Sequence, residues 1–229
     1  MRIFVGILMS MVLATTVHAE DITRRIVVAG MGEVQAAPDM ATVSIGVSHE
    51  ARTAGEAMEA ASLAMSSVMT SLAAAGVEPR DIQTSNIGLN PRYQHSNDGR
   101  PPRVTGYIAS TTLTVRVRML DDLGGVLDAV VSDGANALNG LRFGIADTAP
   151  LESAARAAAV ADAAAKAREL ADAAGVQLGR VISISEGGAA SQPQPMMRGA
   201  MMEAAMDVPV AAGELDFRAR VNVVYAIAD

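Results

Sequence analysis

The chain contains no cysteine and no tryptophan. The first absence excludes disulfides, thiol catalysis, thiolate zinc and a lipid-modified cysteine anchor, so stability has to come from packing. Aromatic residues make up only 3% of the 229 residues, which argues for an aliphatic core and against an aromatic platform for sugars or bases. Histidine is nearly as scarce. His18, His49 and His95 have no second histidine at ligand spacing, so a metal site of the usual kind is not expected. His49 and His95 read as solvated surface residues. Basic residues are outnumbered, 18 against 25, for a net charge of −7. That balance argues against nucleic acid or an anionic membrane as a partner. A nucleophile elbow, a phosphate loop and a His-Glu-x-x-His motif are all missing. Gly30-Met31-Gly32 lacks the third glycine of a dinucleotide fingerprint and does not open a helix. No catalytic residue and no cofactor is expected.

Long apolar runs are also missing, except at the start. Arg2, the mostly apolar residues 3–17 and the small residues of Val17-His18-Ala19 form a secretory signal with cleavage expected after Ala19. The run of roughly 15 residues is short for a membrane span of about 20. Residues 20–229 then carry a net charge of −8. Such a length suffices for one sizeable core or two small domains.

What the chain has in abundance is alanine. Of the 24 residues 151–174, 13 are alanine, and the spacing predicts one long helix over 149–174. Glu152 and Arg156, Asp162 and Lys166, and Arg168 and Asp172 are each four apart and can meet on its surface. Ser153, Ala157, Val160, Ala164, Ala167, Ala171 and Ala174 form a charge-free seam that reads as the buried face. Gly175 supplies a left-handed stop, and residues 181–185 follow as a strand.

The rest of the chain alternates between two periods. Strands are expected at 24–35, 41–50, 81–93, 104–119, 138–147 and 213–227. Gly30 and Gly32 suggest a bend or bulge in the first of them. A first long helix is expected over 53–75, with Thr53 and Glu56 at capping-box spacing and Met58, Ala61, Met65, Val68 and Leu72 on one face. A shorter helix covers 121–132, and 94–102 is a hairpin tip with Asp98-Gly99 at its turn. Residues 187–209 are rich in Gly, Pro, Gln and Met and read as a mobile linker. Leu72 to Val77 and Leu170 to Val176 repeat one pattern, helix then Gly-Val then strand, and suggest two related units or coincidence.

Two clusters bear on chemistry. Asp121, Asp122, Asp128 and Asp133 could serve an Asp-dependent hydrolase. The plainer reading has Asp121 and Asp122 capping the short helix and Asp128 on a solvated face. Met196, Met197, Met201, Met202 and Met206 fall within eleven residues. Their thioethers could serve Cu(I) or sacrificial oxidation, but the plainer reading is a plastic, flexible segment, and no metal site is expected there.

Several stretches together resemble the SIMPL-domain family of secreted and periplasmic bacterial proteins. They are VVAGMGEVQAAPDMATVSIGV, AGVEPRDIQTSNIGLNPRY, GYIASTTLTVRV, DDLGGVLDAVVSDGANALNGLRF, the alanine-rich helix with its strand, and the closing GELDFRARVNVVYAI. The resemblance implies a periplasmic α+β protein of a Gram-negative bacterium, linked to stress tolerance and self-associating, with no catalytic residues to carry over. The combined expectation is an α+β fold of antiparallel or mixed sheets carrying two long helices and one short one. Its two helix-and-sheet units would be 22–119 and 120–229. The expected partner is a second copy of the chain, since small-residue seams and alternating strands suit close subunit packing.

Overall fold

The computed structural model describes residues 24–95, 101–187, 194–196 and 211–228. Their order is β1 (Arg25–Ala36), β2 (Met40–Ala51), α1 (Ala54–Ala74), β3 (Ile82–Gln94), β4 (Arg103–Val117), α2 (Leu123–Ser132), β5 (Ala137–Gly144), α3 (Ala149–Ala174), β6 (Gln177–Glu186), β7 (Gln194–Met196) and β8 (Glu214–Ala228). Short 3-10 turns at Pro79–Asp81 and Leu120–Asp122 lead into β3 and α2. The fold is α+β, as expected, and every pairing among the described strands is antiparallel.

Two four-stranded sheets form. One has the order β3-β4-β2-β5; the other is β1-β8-β6, with β7 also paired to β8. The boundary expected at residue 119 does not separate them. β1 lies in the second sheet, paired without interruption to the last strand from Arg25–Ala226 to Ala36–Leu215. α2 and β5 belong with the first sheet. Period alone shows that a segment is a strand, but it does not name the partner, and here the first and last strands pair. The chain crosses between sheets at 37–39 and again after β5. Asp39 ties the two crossings: its N–H donates to the Gly144 carbonyl at 3.0 Å, and its Oδ1 accepts from the Ala146 N–H at 2.8 Å.

The larger core lies under α1 and α2. Val43, Ile45 and Val47 of β2 and Leu113 and Val115 of β4 point to the same face, as the two-residue period of a strand requires. They meet Ala57, Ala61, Met65, Val68 and Leu72, spaced four, four, three and four along α1. Met58, expected on this face, is only partly buried at its margin. Thr53 and Glu56 form the reciprocal capping box, with the Thr53 Oγ1 accepting the Glu56 N–H at 3.3 Å and Glu56 accepting the Thr53 N–H at 3.1 Å. α1 and α3 end alike. Gly76 and Gly175 take positive φ, and the Val77 and Val176 N–H groups reach back to the Leu72 and Ala171 carbonyls.

The second core runs under α3, and its buried row is Ala155, Ala159, Ala163, Ala167 and Ala171. This corrects the expected seam. Ala167 and Ala171 do face inward, whereas Ser153, Ala157, Val160 and Ala174 are exposed and Ala164 is half-buried. A helix with alanine all round has several charge-free stripes, and its own sequence does not choose between them. The choice is made by Gly30 and Gly32, which form no bulge. A Cβ on Gly30 would lie 2.0 Å from the Ala159 carbonyl oxygen, and one on Gly32 would lie 2.0 Å from that of Ala155. The two glycines let the helix backbone rest on the strand backbone. Larger side chains fill the space on either side of this waist: Val28, Val223 and Tyr225 at one end, Leu215 and Phe217 at the other.

Candidate functional site

The described surface offers two features with functional potential: a charged cleft at one end of the first sheet and the uneven finish of the strand edges. The cleft lies where α1 ends, β4 ends and α2 begins, and has a volume of about 240 Å³. Asp81, in the turn before β3, is buried at 4% exposure. Its Oδ2 accepts from Arg118 Nε at 2.6 Å and its Oδ1 from Arg118 Nη2 at 2.7 Å. Such bidentate, charge-assisted pairing fixes the guanidinium plane. The hydrogen bonds from Arg118 hold the Asp81 carboxyl below the ordinary carboxylate range, against the opposing effect of burial. Sequence reasoning missed this pair. The signal was the alternation Arg116-Val117-Arg118 at a strand end, but only the β3–β4 register, with Ile82 opposite Val115, brings Asp81 beside it.

The edges differ in kind. On the free side of β1, the Met31 N–H donates to Asp162 Oδ2 at 2.8 Å. Lys166 Nζ bonds both the Ala29 carbonyl, at 3.3 Å, and Asp162, at 2.6 Å. The ion pair expected from its four-residue spacing thus has a second job, since it satisfies main-chain groups that an edge strand leaves open. Hydrogen bonds from Lys166 and then from the Met31 N–H lower the Asp162 pKa. β6, at the opposite edge, has no such cover among the described residues, and exposes Val181, Ile182 and Ile184. β3, one edge of the first sheet, exposes Ile87, Leu89 and Tyr93.

The candidates from sequence come apart. Asp121, Asp122, Asp128 and Asp133 are all exposed. Asp122 stands at the N-cap of α2 without making a side-chain capping bond, and Asp133 instead accepts from Ser71 Oγ. Among the described residues, three or more acidic or histidine side chains do not gather anywhere as a metal site. His95 is exposed, but His49 is half-buried, with its Nε2 shielded and unpartnered. It faces inward with Val47 by strand parity, which corrects the expectation of a solvated histidine. Met196 ends β7, and Met197, Met201, Met202 and Met206 lie outside the described residues, as does the Asp98-Gly99 turn. Within the expected linker, Gln194–Met196 is a strand paired with Glu214–Asp216. No helix among the described residues is long and apolar enough to cross a membrane.

Two antiparallel sheets, each with its own helical cover, the first strand of the chain lying in the sheet of the last, define an α+β protein. The chain belongs to the SIMPL family, whose profile, described as a protein of unknown function (DUF541), matches residues 26–225. It is 44% identical over 211 residues to the 26 kDa periplasmic immunogenic protein of Brucella melitensis, covering 89% of this chain and 84% of that one. It is 32% identical over 208 residues to the uncharacterized protein YggE of Escherichia coli K12, covering 88% and 82%. The YggE protein of Edwardsiella ictaluri is 30% identical over 188 residues, with 81% and 78% covered. None of these names states an enzymatic activity.

Proposed function

We propose that this chain is a non-enzymatic periplasmic protein that acts in envelope or oxidative-stress defence through self-assembly or protein contacts. The observation that carries the reading is the contrast between β1 and β6. One edge of the second sheet has two main-chain groups, the Met31 N–H and the Ala29 carbonyl, satisfied by Asp162 and Lys166. The other, β6, has no further strand paired to it among the described residues, with Ile184 at 54% exposure and Val181 and Ile182 above 40%. A strand edge with exposed apolar side chains is a template for pairing. The secretory signal read in residues 1–19 and the name of the Brucella relative support the compartment.

Light scattering behind size-exclusion chromatography on residues 20–229, at two concentrations, tests the assembly. A species of several subunits is expected, and Val181→Lys with Ile184→Lys reduces it to smaller species. A monomer at both concentrations, with no partner retained by the wild-type edge, overturns the reading. For the stress role, cells carrying only the double variant are expected to survive peroxide less well than cells carrying the wild type.

A further inference from the structure

We infer that the two uncovered strand edges meet each other: β3 of one copy of this chain pairs, antiparallel, with β6 of the next. This rests on the assembly reading above and names the surface that β6 joins. The sheet edges are finished in different ways. β1 has Asp162 and Lys166 bonded to its main chain. β5, at the far side of the first sheet, carries Arg142, a register shift against β2 between Ser44 and Ile45, and Gly140 at a φ of 151°. Charge and irregularity are the usual means of blunting an edge. β3 and β6 are the long edge strands left open among the described residues. Residues 82–90 and 181–185 contain no charge at all.

The two edges match residue by residue. β3 shifts register against β4 between Thr84 and Asn86, and β6 shifts against β8 as far as Ser183, so the regular ladders begin at Asn86 and Ser183. Pro91 has no N–H to offer a further strand and bounds the β3 stretch. The windows are thus 86–90 and 183–186. On the helix side of β3 stand Ile87 and Leu89, opposite Thr111 and the buried Ala109. On the helix side of β6 stands Ile184, opposite the buried Val223. The other side carries Asn86, Gly88 and Asn90 in one strand and Ser183 and Ser185 in the other. Antiparallel pairing at matching parity sets Ile184 beside Ile87 or Leu89, and serine beside asparagine or glycine. The core under α1 is built on β2 and β4, and that under α3 on β1 and β8, so each edge strand lies outside its own helix. Joined edges make one continuous sheet with α1 and the neighbour's α3 on the same face, and the isoleucines and leucine fill the space between those helices. A single contact that uses both edges is heterologous and joins copies head to tail.

The test is light scattering behind size-exclusion chromatography on two variants of residues 20–229. One carries Ile87→Lys with Leu89→Lys, the other Val181→Lys with Ile184→Lys, all at exposed positions. Unchanged circular dichroism and melting temperature establish that each variant is folded. Each alone is expected to be a monomer, because a head-to-tail contact needs both edges. An equimolar mixture is expected to form a dimer and nothing larger, since it restores one intact β3–β6 contact. A β3 variant that stays as large as the wild type, or that dimerises by itself through β6, overturns the pairing. So does a mixture that remains monomeric, and in each of these cases assembly itself stands. A wild type that is monomeric at every concentration would instead sink the assembly reading, and the pairing with it.

Discussion

Gly30 and Ala159 are in direct backbone contact across the second sheet: a methyl group on the glycine would sit 2.0 Å from the alanine carbonyl oxygen and 2.7 Å from the Ala163 methyl. This closeness is what a helix built of alanine gains. Its buried row adds little apolar area per residue, but it brings two backbones within van der Waals distance, where many weak contacts accumulate. Lys166 and Asp162 can reach the edge of β1 only because α3 lies this low on the sheet.

Gly30→Ala is therefore expected to cost about 3 kcal/mol, the upper end of overpacking penalties. For a chain of this size that lowers the melting temperature by roughly 6–12 °C. Gly125→Ala in α2 is the matched control, because its added methyl meets nothing within 4 Å. It should gain about 0.5–1 kcal/mol from helix propensity alone. Equal stability of Gly30→Ala and wild type in urea would show that α3 does not rest on the glycine pair.

Asp81 makes stability depend on acid. Its carboxyl titrates below the ordinary range in the folded chain because of Arg118. The unfolded state therefore binds a proton first as pH falls. The stabilisation is complete above the unfolded value of about 3.9 and disappears as pH drops through the lower, folded value. Asp81→Asn should cost about 1.5–3 kcal/mol at neutral pH, the range for hydrogen bonds to charged groups. The gap between variant and wild type should narrow on the acid side. Chemical unfolding at several pH values measures this, and a gap that stays constant down to pH about 2 would contradict it.

Asp162→Ala removes the acceptor of the Met31 N–H. Hydrogen exchange at the Met31 amide should accelerate, while β1 amides that donate to β8 keep their protection, because the β1–β8 ladder itself is intact. Uniform acceleration along β1 would mean that Asp162 acts through the packing of α3 as a whole and not through one edge bond.

The sequence by itself determined the elements and their ends. Thr53 with Glu56 announces the start of α1, Gly76 and Gly175 stop α1 and α3, and the two-residue alternation marks the long strands, though not β7 or the first residues of β6. These are local effects, decided within a few residues by hydrogen-bond capping, backbone sterics and period. The absence of cysteine and the scarcity of histidine were legible in the same way.

Only the tertiary structure decided which strand lies beside which. Arg25 and Ala226 are neighbours although almost the whole chain separates them, and this pairing places β1 in the sheet of α3 and not in that of β2. It also decided which alanines are buried, since the row that faces inward is the one that fits Gly30 and Gly32. The same holds for Asp81 and Arg118, whose meeting depends on the register of two strands. Pairing and packing depend on surfaces supplied by distant parts of the chain, and a stripe of identical small side chains carries no mark of the partner it will meet.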